Sequence, residues 1–252
     1  MEPRRAGLGP VSAEIEIGFF SFSQVTDPVE HRSYNEWHQL DHLPEQYRIT
    51  GVVHGQRWVC TPACKSARTF DAGRLEGAQY VTLYLMTAPV DRTLEQFGAL
   101  GRELHDLGRF HERRRSLLSG PFAVLGARAA RRALVSAEVL PYRPNLGVYV
   151  IVEAAAGAAL DAVAWHDEVA GRLVELPGVA GVIGFASRGD FEHLGWHPGD
   201  VRVSVCYLDE PPLEVCATVD PVVLEIFEGR STPELAGPFE TITPWEWGWF
   251  DA

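Results

Sequence analysis

The sequence predicts an α+β protein made of two tandem β-α-β-β-α-β units, the ferredoxin-like arrangement, and three observations carry that prediction. Segments whose apolar residues alternate with period two are interleaved with segments of helical period, in that order and twice over. WHQLDHLPEQYRITGVV in the first half lines up with WHDEVAGRLVELPGVAG in the second. This places Trp37 and His38 opposite Trp165 and His166 and, with one gap, Gly51 opposite Gly178. The tripeptide GPF recurs, as Gly120 to Phe122 and as Gly237 to Phe239, before the last strand of each half, which is the mark of an internal repeat.

In chain order, residues 1–12 are rich in Pro, Gly and Arg and read as a mobile arm. Glu14 to Ser23 alternates Ile15, Ile17 and Phe19 against Glu14, Glu16 and Gly18, a half-buried strand. Ser33 followed by Glu36 fits a capping box, so the first helix is expected to start there. It runs through Leu40 to Leu43, where Pro44, which has no N–H to offer the Leu40 carbonyl, is expected to stop or kink it just after His42.

Gly51 leads into a second strand, VVHGQRWVC, and the polar stretch 61–77 reads as a loop. Gln79 to Thr87 alternates Val81, Leu83 and Leu85 against Tyr80, Thr82, Tyr84 and Met86, and with both faces apolar both are expected to be covered. Thr93 to Leu107 has helical spacing, and PFAVLGARA reads as the fourth strand after a basic segment whose Arg113, Arg114 and Arg115 could receive an anionic substrate group or form a solvated face.

The second half repeats the series: a strand over Leu146 to Glu153, a helix over Asp161 to Glu175, and strands over Val179 to Ser187 and Val201 to Leu208. A helix over Leu213 to Phe227 and a strand near Phe239 complete it. The organisation expected is an arm (1–12), a first repeat carrying the site (13–136), a Pro-containing linker (137–145) and a second, degenerate repeat (146–252). The aromatic tail WEWGWF is expected to close the structure or to form a subunit contact, so a homodimer is considered.

Composition narrows the function. Thirty-four Asp and Glu against 22 Lys and Arg leave a net charge of −12, which opposes nucleic-acid phosphates. No apolar run approaches the roughly 20 residues that span a bilayer. Cys60 and Cys64 have no matching second pair, because Cys206 and Cys216 are spaced differently, so free thiols and a cytoplasmic setting are expected. The partner expected is a hydrophobic small molecule.

The stretch NEWHQLDHLPEQYRITGVVHGQRW, through Trp37, Asp41, His42, Leu43, Pro44 and Gly51, resembles the first helix of the dimeric α/β-barrel superfamily, in its EthD-like branch. The resemblance implies two ferredoxin-like sheets packed face to face as a barrel, here a pseudo-dimer supplied by one chain. Proteins it is similar to include cofactor-independent monooxygenases, polyketide cyclases, haem-binding enzymes and muconolactone-type isomerases. It therefore bears on fold more than on chemistry.

His38 and His42, four apart, project from one helical face. An imidazole oriented by Asp41 would be a general acid/base for a carbonyl-activated carbon. The same two histidines could hold a divalent metal with a third ligand from His54, His105 or His111, and one alone could bind haem, although no CxxCH is present. A plain alternative is a solvated edge, since a helical wheel puts Trp37, Leu40, Leu43 and Tyr47 on one arc and His38, His42 and Gln46 outside it. The second repeat has Val169 and Ala170 opposite Asp41 and His42, which confines proton-transfer chemistry to the first.

Trp37, Tyr47, Trp58, Tyr80 and Tyr84 are the candidates to line an apolar pocket. With no cofactor motif in the chain, the reading is a cofactor-independent lyase, cyclase or isomerase acting on a polyketide, aromatic or steroid-like substrate. The alternatives are a cofactor-free monooxygenase, a non-catalytic carrier of haem or an apolar ligand, and a metal-dependent enzyme using His38 and His42.

Overall fold

The computed structural model describes residues 14–154, 162–230 and 233–251, so the expected N-terminal arm lies outside the described residues. The first repeat contributes β1 (Ile15–Val25), a helix in three segments, β2 (Val52–Val59), β4 (Tyr80–Thr87), the long helix α4 (Val90–Asp106) and β5 (Arg114–Ala129). The three helical segments are α1 (His31–Trp37), a π-helical turn (His38–His42) and α2 (Leu43–Gln46). The stretch read as a loop holds a short helix α3 (Pro62–Ser66), capped by the Thr61 hydroxyl, and a two-residue strand β3 (Phe70–Asp71).

The second repeat contributes β6 (Gly147–Ala154), α5 (Ala162–Leu173), β7 (Val179–Ser187), β8 (Val201–Leu208), α6 (Pro212–Phe227) and β9 (Leu235–Thr241). Both repeats have the strand order of the ferredoxin-like unit, β5-β1-β4-β2 and β9-β6-β8-β7. β5 pairs with β7, and β2 with β9 through Trp58 opposite Thr241, so the two sheets join edge to edge into a closed antiparallel barrel, with β3 hanging on β9. Closure leaves no long unpaired edge between the two sheets. This is the dimeric α/β-barrel fold with both units on one chain.

Alternation along each strand sorts the side chains. Phe20, Phe22, Leu83, Leu85, Phe122, Phe185 and Phe239 point into the barrel and fill it. Phe20 lies edge-on to Phe122 (5.3 Å) and to Phe185 of the second repeat (5.0 Å), so one aromatic cluster ties the repeats together. Tyr80, Thr82, Tyr84 and Met86 face outward and are nonetheless buried under helices, as the two-faced apolar pattern of β4 requires. The four cysteines are free and buried.

Three local expectations are corrected. The first helix does not begin at a Ser33–Glu36 capping box. A 3-10 turn (Pro28–Glu30) precedes it, capped by Asp27, whose carboxylate accepts from the Val29 N–H, and Ser33 lies inside the helix with its hydroxyl on the Glu30 carbonyl. Of the stop or kink expected at Pro44, the stop is absent: the helix passes the proline through a widened turn and continues to Gln46. The basic segment is not a connector: β5 starts at Arg114 and runs 16 residues, pairing Arg114 with Val25.

The tail folds back on its own chain. Trp247 is buried with its indole N–H on Gln39 Oε1 (3.3 Å), and Phe250 stacks on His31 (3.7 Å between centroids).

Because Phe20 is shared by both repeats, Phe20→Ala should destabilise the whole barrel by about 3–5 kcal/mol. Urea denaturation followed by tryptophan fluorescence and by circular dichroism should show one shifted transition for both signals.

Candidate functional site

The site is built on an irregularity of the first helix. Between His38 and His42 the helix widens, and the Leu43 N–H bonds the His38 carbonyl five residues back. Pro44 gives the reason. It cannot donate to Leu40, and one wider turn lets the chain pass the proline while keeping helical dihedrals on both sides. Gln46 completes the turn by donating from Nε2 to the His42 carbonyl (3.1 Å). Such turns recur at functional sites because they re-aim side chains without breaking the helix.

The face this helix buries is largely polar, with Tyr34 among the polar groups, and two residues of the predicted apolar arc lie outside it. His38 (4% exposed) and Gln46 (1%) are buried with His31 and Asn35, whereas Leu40 (44%) and Tyr47 (47%) are exposed. His31 Nδ1 meets the Tyr80 hydroxyl (2.8 Å), and Asn35 donates to the same oxygen (3.0 Å). The spacing His31, Asn35, His38, His42, Gln46 is helical, so this polar stripe was legible in the sequence as a pattern. It was missed because apolar residues were assumed to mark the inner face.

Between this stripe and the outer face of the first sheet lies a cavity of about 420 Å³. Its floor is Phe19, Ser21, Tyr84, Ser119 and Pro121, its roof His38, His42 and Gln46, and its far wall Leu94, Phe97, Gly98 and Gly101 of α4, with Phe110 and Arg114 at one end. The glycines leave room in the wall: a Cβ at Gly101 would meet nothing within 4 Å. Phe19 and Phe97 pack 4.6 Å apart, giving the cavity an aromatic side.

Several buried polar atoms around it have no partner: Nδ1 of His38, Nδ1 of His42 and the hydroxyl of Tyr84. His38 is held only through Nε2, 3.4 Å from the Thr82 hydroxyl, and the rings of His38 and His42 are 5.1 Å apart. Orphaned polar groups are costly in a folded core and mark a place where a ligand or water completes the bonding.

Both histidines are neutral at physiological pH. Desolvation, reinforced by the positive charges of Arg57 and Arg114, holds His38 well below the usual imidazole range. Burial and Arg114 hold His42 down to about 4, with Asp41 opposing. Burial pushes the Tyr84 phenol up, so its O–H stays a donor. A neutral imidazole pair and a phenol donor facing an apolar cavity can accept a proton from carbon and hydrogen-bond the oxygen that gains the charge.

The sequence candidates distribute as follows. His38, His42 and Tyr84 come together in the cavity wall. Trp37 stacks on His42 (4.8 Å) and donates to the Arg109 carbonyl (2.7 Å), so it braces the histidine. Asp41 is turned to Arg109, which bonds its two oxygens at 3.2 and 2.7 Å and also reaches Glu45 (2.8 Å). The carboxylate therefore anchors the helix to the β5 approach and acts on His42 only through space.

Tyr80 belongs to the His31–Asn35 network, Tyr47 bonds Gly55 at the surface, and Trp58 points into the barrel with its N–H on Asn145 (3.1 Å). Phe19, Ser21, Phe97 and Phe110 were not singled out as lining residues, because only the packing of β1, β5 and α4 brings them opposite the helix; of the basic run that could receive an anionic group, Arg114 is the one that lines the cavity.

Among the described residues no three His, Cys, Asp or Glu side chains gather into a metal set. Of the proposed third ligands, His105 is exposed on α4 and His111 is engaged by Ser33 (3.0 Å), while His54 lies against Tyr142. A haem would draw on the same two imidazoles.

In the second repeat the corresponding space is filled by Trp165, Val169, Ala170, Val219 and Val223. His166 is packed onto Gly184, where a Cβ would come within 2.1 Å of its Nδ1.

The fold and this site describe a barrel protein with a cavity of about 420 Å³ under its first helix pair. No family model and no curated protein sequence matches the chain. Solved structures share its fold. An anthrone oxidase-like protein superposes with a TM-score of 0.56 at 10% identity, over 92% of this chain and 94% of that one. A variant of chlorite dismutase from Candidatus Nitrospira defluvii gives 0.49 at 12% identity, over 91% and 92%. A monooxygenase candidate from Lactobacillus acidophilus NCFM gives 0.49 at 6% identity, over 91% and 100%. At these identities the likeness is one of fold. No helix among the described residues is long and apolar enough to cross a membrane.

Two outcomes follow from the geometry. His31 and His42 are both held to about 4, by burial above all. Between that value and the ordinary histidine value near 6.5 the unfolded chain binds protons the native state does not. Stability should therefore fall as pH is lowered through this window, by on the order of a few kcal/mol, and His42→Asn should flatten the slope in urea titrations. Gly101→Leu should occlude the cavity, abolishing binding of aromatic ligands such as naphthalene derivatives. Its thermal midpoint should not fall, because glycine in a helix is itself worth about 1 kcal/mol of destabilisation.

Proposed function

We propose that the chain is a small-molecule enzyme that abstracts a proton from an apolar, oxygenated substrate bound in the first-repeat cavity. The observation that carries the reading is the neutral imidazole pair with unpartnered Nδ1 atoms beside the unpartnered Tyr84 hydroxyl, in a wall otherwise largely apolar. His42 accepts the proton from a carbon acidified by a carbonyl, adjacent to it or conjugated with it, and the electron pair moves onto the carbonyl oxygen. Tyr84 donates to that oxygen, and His38, fixed on Thr82, supplies the second imidazole. Trp37 positions His42, and Asp41 anchors the helix to Arg109 rather than reacting.

The carbanion so formed has two fates. Reprotonation or bond cleavage elsewhere gives isomerase, cyclase or lyase chemistry. Electron transfer to dioxygen gives a cofactor-free oxidase or monooxygenase, and the fold neighbour described as anthrone oxidase-like makes that branch worth testing.

Anthrone is a suitable probe, because its methylene is acidified by the carbonyl. In deuterated buffer without oxygen, the protein should accelerate exchange of the methylene protons, followed by NMR. His42→Ala should slow this by two or more orders of magnitude, and Tyr84→Phe by at least about tenfold. The rate should be level through neutral pH and fall only towards pH 4, where His42 takes up its proton. In air, the oxidase branch predicts one dioxygen consumed per anthrone, giving anthraquinone and water. Binding without exchange would make the protein a carrier and overturn the proposal, and a Soret band on haem titration that disappears with His42→Ala would assign the imidazoles to iron.

A further inference from the structure

One group at the cavity is not used by proton abstraction itself. Arg114, at the start of β5, lines the end of the cavity and is the only residue of the lining that carries a formal charge at neutral pH. Its guanidinium lies over the rings of Trp37 (5.9 Å) and Phe110 (5.2 Å), and among the described residues no carboxylate pairs with it. This happens in a chain of net charge −12, in which Arg109, close by in sequence, holds two carboxylates.

A second unneutralised cation lies deeper. Arg57 on β2 is 3% exposed, donates only to Asn35 Oδ1 (3.0 Å), and leaves Nε and Nη1 without partners. It sits over the rings of Tyr34 and Tyr80 at 5.3 and 5.6 Å. A buried cation without a counter-charge is strongly unfavourable unless something else supplies the negative charge.

We infer that the cavity takes its ligand as an oxyanion: an aromatic molecule whose carboxylate, phenolate or enolate oxygen sits at Arg114, with its rings against Phe19 and Phe97. The inference rests on the proposed site but not on its reaction. Arg114 is then a specificity-determining residue that selects acidic substrates over neutral ones of the same shape, while Arg57 supplies the background positive field. A half-buried guanidinium lying over two aromatic rings offers a planar fork that matches an oxyanion.

The test is binding by fluorescence titration of three ligands of one shape: 2-naphthoate, 2-naphthol and naphthalene-2-carboxamide. Wild type should bind naphthoate at least about tenfold more tightly than the carboxamide, with an advantage that shrinks as salt is raised. Arg114→Gln should erase the difference and leave carboxamide binding as it was, whereas Arg115→Gln, exposed and off the cavity, should keep it.

Naphthol titrated from neutral to alkaline pH separates the two oxyanion sources. Tightening as its hydroxyl ionises, in parallel with naphthoate, shows that phenolate is accepted too, and tightening absent with naphthoate retained narrows the class to carboxylates. Equal binding of all three ligands by wild type and by Arg114→Gln, with Gly101→Leu blocking all of them, overturns the anion inference and leaves the proton-abstraction reading standing. Selective naphthoate binding without any anthrone exchange does the reverse.

Discussion

The widened turn at His38–His42 is the feature on which the site depends. Pro44 denies the helix one donor, and the helix answers by lengthening a single turn instead of breaking. The result keeps two imidazoles on the sheet side of the helix, within 5.1 Å of each other, and carries Gln46 down to close the turn. Arg109 also clamps Asp41 and Glu45 from outside, adding to the packing of Tyr34 and Trp37 on Tyr80 and Phe110 that holds the helix over the sheet.

Barrel closure decides where a ligand could go. The large inward residues Phe20, Phe22, Trp58 and Phe185 fill much of the barrel interior; a cavity of about 430 Å³ lies beside the inward residues Leu85, Ile183 and Phe185, and the candidate site lies between the outer face of a sheet and its helices. The two repeats use that layer in opposite ways. In the second, Val169, Ala170, Val219 and Val223 bring α5 and α6 down onto β6 to β8. In the first, glycines on α4 and polar groups on the first helix keep the layers apart. A duplicated frame thus carries one filled and one open copy, and the buried Arg202–Glu153 pair of the second (3.5 Å) is neutralised internally where Arg57 and Arg114 of the first are not.

Much of the frame was legible from the chain. The bounds of β7 and β8 agree with their period-two pattern, and the recurrence of WH and GPF announced the duplication. His42 and Tyr84 were found because their residue types and their alternation are local properties. Asp41 was read as the partner of His42 for the same reason, and its real partner, Arg109, is 68 residues away. The wheel failed on the first helix because it equates apolar with inward. That holds for a core, but not for a helix roofing a cavity, where Leu40 and Tyr47 face out and His38 and Gln46 face in.

The sequence by itself determined the element order, the duplication, and the difference between a first helix that carries Asp41 and His42 and a second with Val169 and Ala170 in their place. Each of these depends on the identity and spacing of nearby residues. Tertiary structure alone decided that the histidines are buried and neutral, that Tyr84 and not Trp58 faces them, and that Arg114 has no counter-charge. Those properties are set by which distant strands and helices come together and how much water they exclude, and no short-range pattern encodes that.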